Sequence, residues 1–528
     1  MTEPSGYLCL VLHAHLPFVR HPEHDDFLEE DWLYEAVVET YLPLLEVFRR
    51  LAFEGVHFRM TMTMSPPLCN MLQDDLLKSR ARARLQRLIA LGEQETARLA
   101  DDREFGPVAR MYHERFTRFL ALWDSCDGDL VRAFGELQDR GHLELITCGA
   151  THGFLPLLRS NPQAVRAQIA VARQDYRARF GRDPRGIWLP ECGYYPGLDG
   201  LLAEQGIGFF FLDSHGVEHA TPRPPNGVHA PVLCPTGVAA LARDLDSSKQ
   251  VWSAEEGYPG DPCYREFYRD IGYDLPLELI GPYVQPTGER KNTGYKYFRI
   301  TGHVGRKQAY VPGTAEERAA EHAGQFLVHR EKQIEWLADK TDAPPLVVAP
   351  YDAELYGHWW FEGPRFLEYL LRKVHYDSAV LGTTTPWEYL ERFPDHYVAV
   401  PSMSSWGANG YCEVWCEGSN DWIYRHLHAA AERMIRVAGE RRGAGGIEER
   451  ALNQAARELL LAQSSDWAFI IKTGTMVDYA VRRTREHLLR LSSLLDMVEE
   501  HEFDEGLLAE IEVRDNLFAQ IDFRVYAE

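Results

Sequence analysis

Residues 346–364 read LVVAPYDAELYGHWWFEGP, an apolar run that is followed within three residues by an acid. The run Leu346–Ala349 has the length and the flanking turn residues of a buried parallel strand. Six further runs share this pattern, and helix-like segments separate most of them: Tyr7–Leu12, Phe58–Met64, Leu143–Cys148, Gly186–Leu189, Gly208–Leu212 and Ala379–Leu381. Strands that alternate with helices indicate an α/β protein, and seven strands are about the number needed for a β/α barrel.

Polar side chains follow each of these apolar runs. They are His13 and His15, Ser65, Thr151 and His152, Glu191, Asp213 and His215, Asp352, and Thr383–Thr385. The carboxyl ends of the strands in a β/α barrel meet on one face, where the chemistry takes place. One polar residue after a strand is often only a turn or a helix cap. Seven such positions together predict an active site on that face.

Two insertions and a change of pattern predict the domain organisation. Residues 73–140 are charged and helix-periodic, which indicates a helical insertion. Residues 217–250 contain PRPPNG and little apolar periodicity, which indicates a long active-site loop. Helical spacing of apolar residues dominates beyond about residue 400, including a stretch over 449–472. We therefore expect a catalytic barrel over residues 1–400 and a helical C-terminal domain over 401–528.

The composition excludes several classes of partner. The net charge of -23 argues against nucleic acid and anionic membranes, because like charges would repel. No stretch approaches the roughly 20 apolar residues that span a bilayer. The nine cysteines form no zinc-binding or disulfide pattern, and the N-terminus does not have the layout of a signal peptide. We expect reduced thiols and a cytoplasmic location.

Two acids at strand ends are candidates for glycosidic chemistry, which needs one carboxylate at the anomeric carbon and one carboxylic acid at the leaving oxygen. Glu191 lies in IWLPECGYYPGL, and Asp352 lies in the opening stretch. Neighbouring aromatic side chains would raise the pKa of a general acid by desolvation. Glu354 is a rival to Asp352, which we prefer because it lies nearer the strand end. Either acid taken alone could be only a helix cap or an ion-pair partner.

Histidine, tryptophan and a helical aspartate supply further candidates. His13 and His15 could chelate a metal from one strand, but no tight acidic cluster accompanies them, so hydrogen bonding to sugar hydroxyls is the stronger interpretation. Trp406 and Trp415 lie in a glycine-rich loop, SSWGANGYCEVW, which favours stacking on sugar rings. Asp466 falls in an apolar helical stretch and must be hydrogen-bonded there.

Several long motifs in order resemble glycoside hydrolase family 57, and within it enzymes that branch 1,4-α-glucans. The resemblance covers nearly the whole chain and includes HAHLP, CGATHGFLPLL, WLPECGYYPGL, QVWSAEEGYPGDPCYREFYRD, PYDAELYGHWWFEGP, SSWGANGYCEVW and SSDWAF. It implies an incomplete seven-stranded β/α barrel with a helical insertion and a helical C-terminal domain. It also implies a retaining double displacement without a metal or any other cofactor.

The resemblance implies roles for individual residues. Glu191 would be the nucleophile and Asp352 the acid/base. The remaining candidates would contact an α-glucan, namely His13, His15, Trp32, His152, Arg265, Tyr273, His358, Trp406, Trp415 and Asp466. Tyr273 stands where the family carries tryptophan.

The long loop bears on the choice between transfer and hydrolysis. Enzymes of this kind are similar in placing a tyrosine over the site, whereas no Tyr, Phe or Trp lies between Val217 and Gln250. The residue at the corresponding tip is His229. Three hypotheses follow: a glucan-branching transferase, an α-glucan hydrolase or weakly active branching-like enzyme, and a non-catalytic glucan-binding protein. The third has no need of both carboxylates and ranks last.

Overall fold

The computed structural model describes residues 3–253, 256–284, 288–302 and 307–527. Within this part of the chain ten strands occur, and most of them are short and buried. They are β1 Gly6–Ala14, β2 Met60–Met64, β3 Leu143–Ile146, β4 Gly186–Ile187, β5 Phe209–Leu212, β6 Val232–Leu233, β7 Ala239–Ala242, β8 Leu346–Asp352, β9 Leu381–Thr383 and β10 Tyr397–Val398.

Seven parallel strands form a barrel wall in the order β8, β1, β2, β3, β4, β5, β7. β1 lies between β8 and β2, with His13 in register with Asp352 and with Thr63. A single parallel bridge between Thr147 and Ile187 joins β3 to β4. The wall closes where the amide of Asp244 donates to the carbonyl oxygen of Val348 at 2.8 Å. The barrel wall is therefore weakly paired at two places, between β3 and β4 and between the end of β7 and β8, as expected of an incomplete barrel.

The seventh barrel strand is not the one that the sequence predicted. The predicted run Ala379–Leu381 leads into β9, which pairs only with the first residues of β1, Gly6–Leu8. The barrel strand is β7, which lies inside the segment 217–250 and pairs with β5. That segment therefore differs from the single long loop that we expected. The sequence AALA of β7 is too short and too small to stand out from its surroundings.

Helices surround the barrel, and the described chain after β10 is mostly helical. The helices up to β8 are α1 Asp31–Ala36, α2 Leu42–Phe53, α3 Pro66–Gln73, α4 Asp75–Arg98, α5 Gly106–Ser125, α6 Leu130–Asp139, α7 Leu155–Leu158, α8 Pro162–Phe180, α9 Leu198–Glu204, α10 Ser214–Glu218, α11 Leu245–Trp252, α12 Ile271–Asp274, α13 Leu277–Ile280 and α14 Pro312–Ala338. The later helices are α15 Gly363–Asp377, α16 Pro386–Arg392, α17 Trp422–Glu440, α18 Ile447–Ala462, α19 Ser465–Thr473, α20 Val477–Glu500 and α21 Glu505–Arg514.

Short 3₁₀ turns and one π-helical turn complete the fold. The 3₁₀ turns are Leu28–Glu30, Pro190–Cys192, Tyr258–Gly260, Gly281–Tyr283, Ala353–Leu355, Ala408–Gly410 and Phe523–Tyr526, and the π turn is Val37–Tyr41, between α1 and α2. No helix in the described ranges is both long enough and apolar enough to cross a membrane.

The helical stretch predicted over 449–472 is two helices, because the chain breaks between α18 and α19. The backbone of Ser464 is non-helical there, with φ -53° and ψ 129°, and Gly153 pairs with this residue as an isolated antiparallel bridge. Asp466 therefore lies in the first turn of α19 rather than inside a helix. A helix N-terminus stabilises a negative charge, so the break prepares this position for an ionised side chain. It also brings the C-terminal helices against the barrel rim.

Candidate active site

A cavity of about 520 Å³ opens at the carboxyl ends of the barrel strands. Eight of the predicted site residues line it: His13, His15, His152, Glu191, Asp352, Trp406, Trp415 and Asp466. These residues come from β1 and β8, from the segments that follow β1, β3 and β4, from the loop that contains residues 406–415, and from α19. The cavity therefore collects side chains that are far apart in the sequence, which is the arrangement expected of a barrel enzyme.

Glu191 is held in a strained turn directly after β4. Its backbone has φ 63° and ψ 22°, a left-handed conformation that is rare outside glycine and that clusters at functional sites. Its carboxyl group accepts hydrogen bonds from the indole N–H of Trp406 at 2.8 Å and from the hydroxyl of Ser465 at 3.1 Å. Burial raises the pKa of Glu191 to about 7, and the bond from Trp406 opposes that rise.

Asp352 ends β8 and has different surroundings. Burial raises the pKa of Asp352 well above its ordinary value, and the negative charges of Glu354 and Glu191 raise it further. Within the described residues no hydrogen bond reaches its carboxyl group. Glu354, the rival acid, accepts hydrogen bonds from the hydroxyl of Tyr41 at 2.5 Å and from the amide of His15 at 3.3 Å. Hydrogen bonds within the protein therefore hold the carboxyl group of Glu354, whereas the carboxyl group of Asp352 is available to a ligand.

A chain of hydrogen bonds runs through two histidines to Glu191. The Nε2 atoms of His13 and His152 are 3.0 Å apart, and Nδ1 of His152 lies 2.8 Å from the Ser465 hydroxyl oxygen. Because an ionised Glu191 can only accept, the Ser465 hydroxyl donates to it, His152 donates to Ser465, and His13 donates to His152. Burial lowers the pKa of both histidines, so both rings are neutral, as this chain requires.

His15 and Asp466 form a second pair beside this chain. His15 lies 3.1 Å from a carboxylate oxygen of Asp466, and its other ring nitrogen lies 2.8 Å from the hydroxyl of Ser65. Burial acts to raise the pKa of Asp466, but the charge of His15 and their hydrogen bond outweigh it and hold the value at about 2. The rings of His15 and His152 stack with centroids 3.8 Å apart. Asp466 therefore fixes the orientation of the His15 ring, which lines the cavity.

The same residues bear on the metal interpretation. His15, His152 and Asp466 each place one potential ligand atom within 4.8 Å of the others. Both ring nitrogens of His15 and of His152 already have hydrogen-bond partners within the protein. A bound metal ion would have to replace those bonds, so the donor set fits a hydrogen-bonded ring cluster better than a metal site.

The two tryptophans of the SSWGANGYCEVW loop have different positions. Trp406 is half-buried, and its indole N–H binds Glu191. Trp415 is only 1% exposed and stacks on Phe154 with ring centroids 4.4 Å apart. Trp415 therefore fixes the loop to the core, and because it also lines the cavity, the stacking of its ring on a sugar stays a prediction. Trp406 positions the carboxyl group of Glu191.

Four predicted glucan contacts lie outside the residues that line the cavity in the described structure. Arg265 is buried and pairs with Glu39 at 3.2 Å, and His358 pairs with the same carboxylate at 2.8 Å. Trp32 packs edge-on against Tyr479, with ring centroids 5.9 Å apart, and Tyr273 lies exposed on α12. Arg265 and His358 therefore support the segment that follows Asp352, because Glu39 belongs to the π turn beneath it.

His229 also lies away from the site. Its carbonyl oxygen accepts a hydrogen bond of 2.9 Å from the amide of Leu346, the first residue of β8. Asp352 is the last residue of that strand, six residues on and about 20 Å further along it. The expectation that His229 stands over the carboxylates is not met, because the chain between β5 and β7 descends along the barrel wall.

The residues at the cavity that the sequence did not reveal include Arg243, Trp252, Trp359 and Ser465. Arg243 directly follows β7, so finding that strand would have found this residue. Ser465 is part of the quoted SSDWAF motif, but only its contact with Glu191 gives it a role. Trp359 lies in the stretch 346–364 after Asp352, where nothing in the sequence distinguishes it from the neighbouring aromatic residues.

A β/α barrel that gathers two acids at the mouth of one cavity has the arrangement of an enzyme that acts on glycosidic bonds. The family model of glycosyl hydrolase family 57 matches residues 9–402, and that of the 1,4-alpha-glucan branching enzyme C-terminal region matches residues 426–526. The chain belongs to glycoside hydrolase family 57.

Relatives of known structure or curated description match over nearly the whole chain. The structure described as the novel alpha-amylase AmyC from Thermotoga maritima is 44% identical, with a TM-score of 0.93 and 99% of each chain covered. A GH57-type branching enzyme from Pyrococcus horikoshii is 34% identical, with a TM-score of 0.89, over 99% of this chain and 97% of that one. A 1,4-alpha-glucan branching enzyme of Thermococcus kodakarensis is 35% identical over 98% of this chain and 78% of its own length.

Proposed function

We propose that the chain is a 1,4-α-glucan branching enzyme, which cleaves an α-1,4 bond and transfers the glucan to a 6-hydroxyl. One observation carries this proposal. The segment that the branching-enzyme C-terminal model matches includes α19, whose Ser465 and Asp466 contact Glu191 and His15 at the catalytic cavity. The part that marks branching enzymes is thus a working part of the site. The description of the Pyrococcus and Thermococcus relatives as branching enzymes supports the same activity.

The surroundings of the two acids support their separate roles. Two buried carboxyl groups that repel each other across one cavity cannot both ionise easily, so one proton is shared between them near neutral pH. Trp406 and Ser465 donate to Glu191 and stabilise its ionised form. Asp352 has no donor among the described residues, and the charge of Glu354 disfavours its ionisation. The proton therefore belongs on Asp352, which makes Glu191 the nucleophile and Asp352 the general acid.

The reaction then proceeds in two balanced steps. An oxygen of Glu191 attacks the anomeric carbon, the bond to the 4-oxygen of the next glucose breaks, and the proton of Asp352 passes to that oxygen. The glucan is held as an ester of Glu191. Asp352 next takes the proton of an incoming 6-hydroxyl, whose oxygen attacks the same carbon and releases Glu191. Configuration at the anomeric carbon is retained.

We propose a cytoplasmic location and a division into two domains on separate grounds. All nine cysteines are unpaired, which suits a reducing compartment. The barrel over residues 1–400 and the helical domain over 401–528 agree with the two family models, which cover 9–402 and 426–526.

A second candidate function is hydrolysis of α-glucans. It is favoured by the absence of Tyr, Phe and Trp between Val217 and Gln250, and by the position of His229 far along the wall from Asp352. The Thermotoga relative is described as an alpha-amylase. Hydrolysis needs the same two carboxyl groups, with water in place of the 6-hydroxyl.

Incubation with amylose distinguishes the two functions. Branching predicts loss of iodine colour with few new reducing ends and the appearance of α-1,6 anomeric protons by NMR. Hydrolysis predicts reducing ends that rise together with the loss of colour. Absence of both changes in the purified protein would contradict the proposal that it is a glucan-active enzyme.

A further inference from the structure

Beyond the catalytic cavity, one line of aromatic side chains remains without a role. Trp359 lines the cavity and yet is 53% exposed, which is unusual for the largest side chain. The ring of Phe267 stacks on it, with centroids 4.3 Å apart and planes 23° apart. Tyr268 is 79% exposed and meets Phe267 edge-on at 5.1 Å. Phe267, Tyr268 and Trp359 form what we call the aromatic ridge.

The aromatic ridge is held firmly from below. The amide of Trp359 donates to the carbonyl oxygen of Glu354 at 3.2 Å, and the ammonium group of Lys296 donates to the carbonyl oxygen of Phe267 at 2.6 Å. The ring of His358 packs edge-on against both Phe267 and Trp359, and Glu39 fixes His358 at 2.8 Å. A rigid aromatic surface loses little conformational entropy when a ligand stacks on it.

The position of the aromatic ridge relative to the two acids indicates which part of a bound glucan it adjoins. Trp359 belongs to the segment that follows Asp352 and lines the same cavity, whereas the side chains in contact with Glu191 are Trp406, Ser465 and His152. A general acid must lie beside the leaving oxygen, so the leaving chain occupies the Asp352 side of the cavity. The acceptor 6-hydroxyl later takes the place of that oxygen. The aromatic ridge therefore adjoins the side where the leaving chain departs and the acceptor arrives.

We propose that the aromatic ridge of Phe267, Tyr268 and Trp359 is a binding site for an α-1,4-glucan chain on the leaving-group and acceptor side. The apolar faces of successive glucose units stack on the exposed rings, and the Tyr268 hydroxyl is free to bind sugar hydroxyls in the part of the chain that the structure describes. This inference rests on the proposed glucan chemistry. It places the acceptor chain on a surface continuous with the catalytic cavity.

The experiment compares Trp359→Ala and Tyr268→Ala with Trp336→Ala. Trp336 is 63% exposed on α14 and does not line the cavity, so its variant controls for the loss of a surface ring. Each purified variant is checked by circular dichroism. KM is then measured for amylose and for a short maltooligosaccharide, together with the ratio of new α-1,6 linkages to new reducing ends.

We expect KM for amylose to rise about 3- to 10-fold in Tyr268→Ala and Trp359→Ala, with a smaller change for the short substrate. The ratio of branching to hydrolysis should fall, because water competes better when the acceptor binds weakly. An unchanged KM for amylose and an unchanged ratio in folded Tyr268→Ala would overturn the inference. Should the wild type only hydrolyse, the proposed branching function fails, and the KM for amylose still decides whether the aromatic ridge binds glucan.

Discussion

Among the described residues, two clusters that combine acids with histidine bring their ligand atoms close together, and one of them lies at the cavity of the barrel rim. In the first, His15, His152 and Asp466 lie beside Glu191 and Asp352. The second, which we call the helical charge cluster, consists of Glu458, His487, Asp515, Arg483 and Arg490. Glu458, His487 and Asp515 also bring their ligand atoms within 4.8 Å of one another. Proximity of titratable groups therefore does not distinguish the cluster at the cavity from the helical charge cluster.

The two clusters differ in whether neighbouring residues of opposite charge compensate the buried acids. In the helical charge cluster, Glu458 lies 2.7 Å from a ring nitrogen of His487, the other nitrogen accepts from Arg483 at 2.9 Å, and Arg490 pairs with Asp515 at 3.0 Å. Four of these five residues belong to the regular helices α18 and α20.

At the rim, no arginine or lysine of the described residues forms an ion pair with Glu191 or Asp352, and Glu191 and His152 both have left-handed backbones. The difference teaches that uncompensated charge, backbone strain and an open cavity together mark a catalytic site, whereas a compensated network contributes to stability.

The largest expected effect comes from neutralising the rim acids. Glu191→Gln and Asp352→Asn should each lower kcat on amylose by about 10³-fold or more, because each removes a group that bonds or transfers a proton in the transition state. Binding of a maltooligosaccharide, measured by calorimetry, should remain. Retention of full activity in either folded variant would contradict the assignment of the two acids.

A matched pair of alanine substitutions tests the comparison through stability. Glu458→Ala should lower the free energy of unfolding by about 3–5 kcal/mol, because it leaves His487 and buried arginine charge without their partner. Glu191→Ala should cost less than about 1 kcal/mol, since its neighbours at the open cavity can bind water instead. Both values come from denaturant titrations, and kcat of Glu458→Ala is expected to stay near that of the wild type. Equal losses of stability would remove the distinction between the clusters.

The smallest expected effect is a shift in the pH dependence of kcat/KM. Because Glu191 must be ionised and its pKa is raised to about 7, activity should be lost as the pH falls through about 7. Ser465→Ala removes a donor to the ionised carboxylate, so it should raise the pKa of Glu191 further and move the acid limb up by about 1 pH unit.

Ser464→Ala provides the control for this shift. Its hydroxyl donates to Asp466 rather than to Glu191, so the acid limb should move less. An acid limb that does not move in Ser465→Ala would show that this hydroxyl does not stabilise the charge of Glu191.

The sequence by itself determined the strands that carry the two acids and the segments that carry the histidines. Apolar runs such as Leu346–Ala349 are local patterns, and the residue that follows a strand is known once the strand is known. The sequence did not predict β7, because AALA is short and its side chains are small. Arg243, which follows that strand, was therefore not predicted either. Both tryptophans of the aromatic loop line the cavity, but Trp406 donates to Glu191, whereas Trp415 is buried against Phe154.

Only the tertiary structure decided which residues meet. Pairing of β1 with β8 brings Asp352 into register with His13, and the break before α19 brings Ser465 to Glu191 across 274 positions of sequence. The pKa values, the proton on Asp352 and the exposure of Trp359 all depend on burial and on neighbours from other segments. Local sequence patterns record the period of a strand or helix, but burial and contact between distant segments arise only when the chain closes on itself.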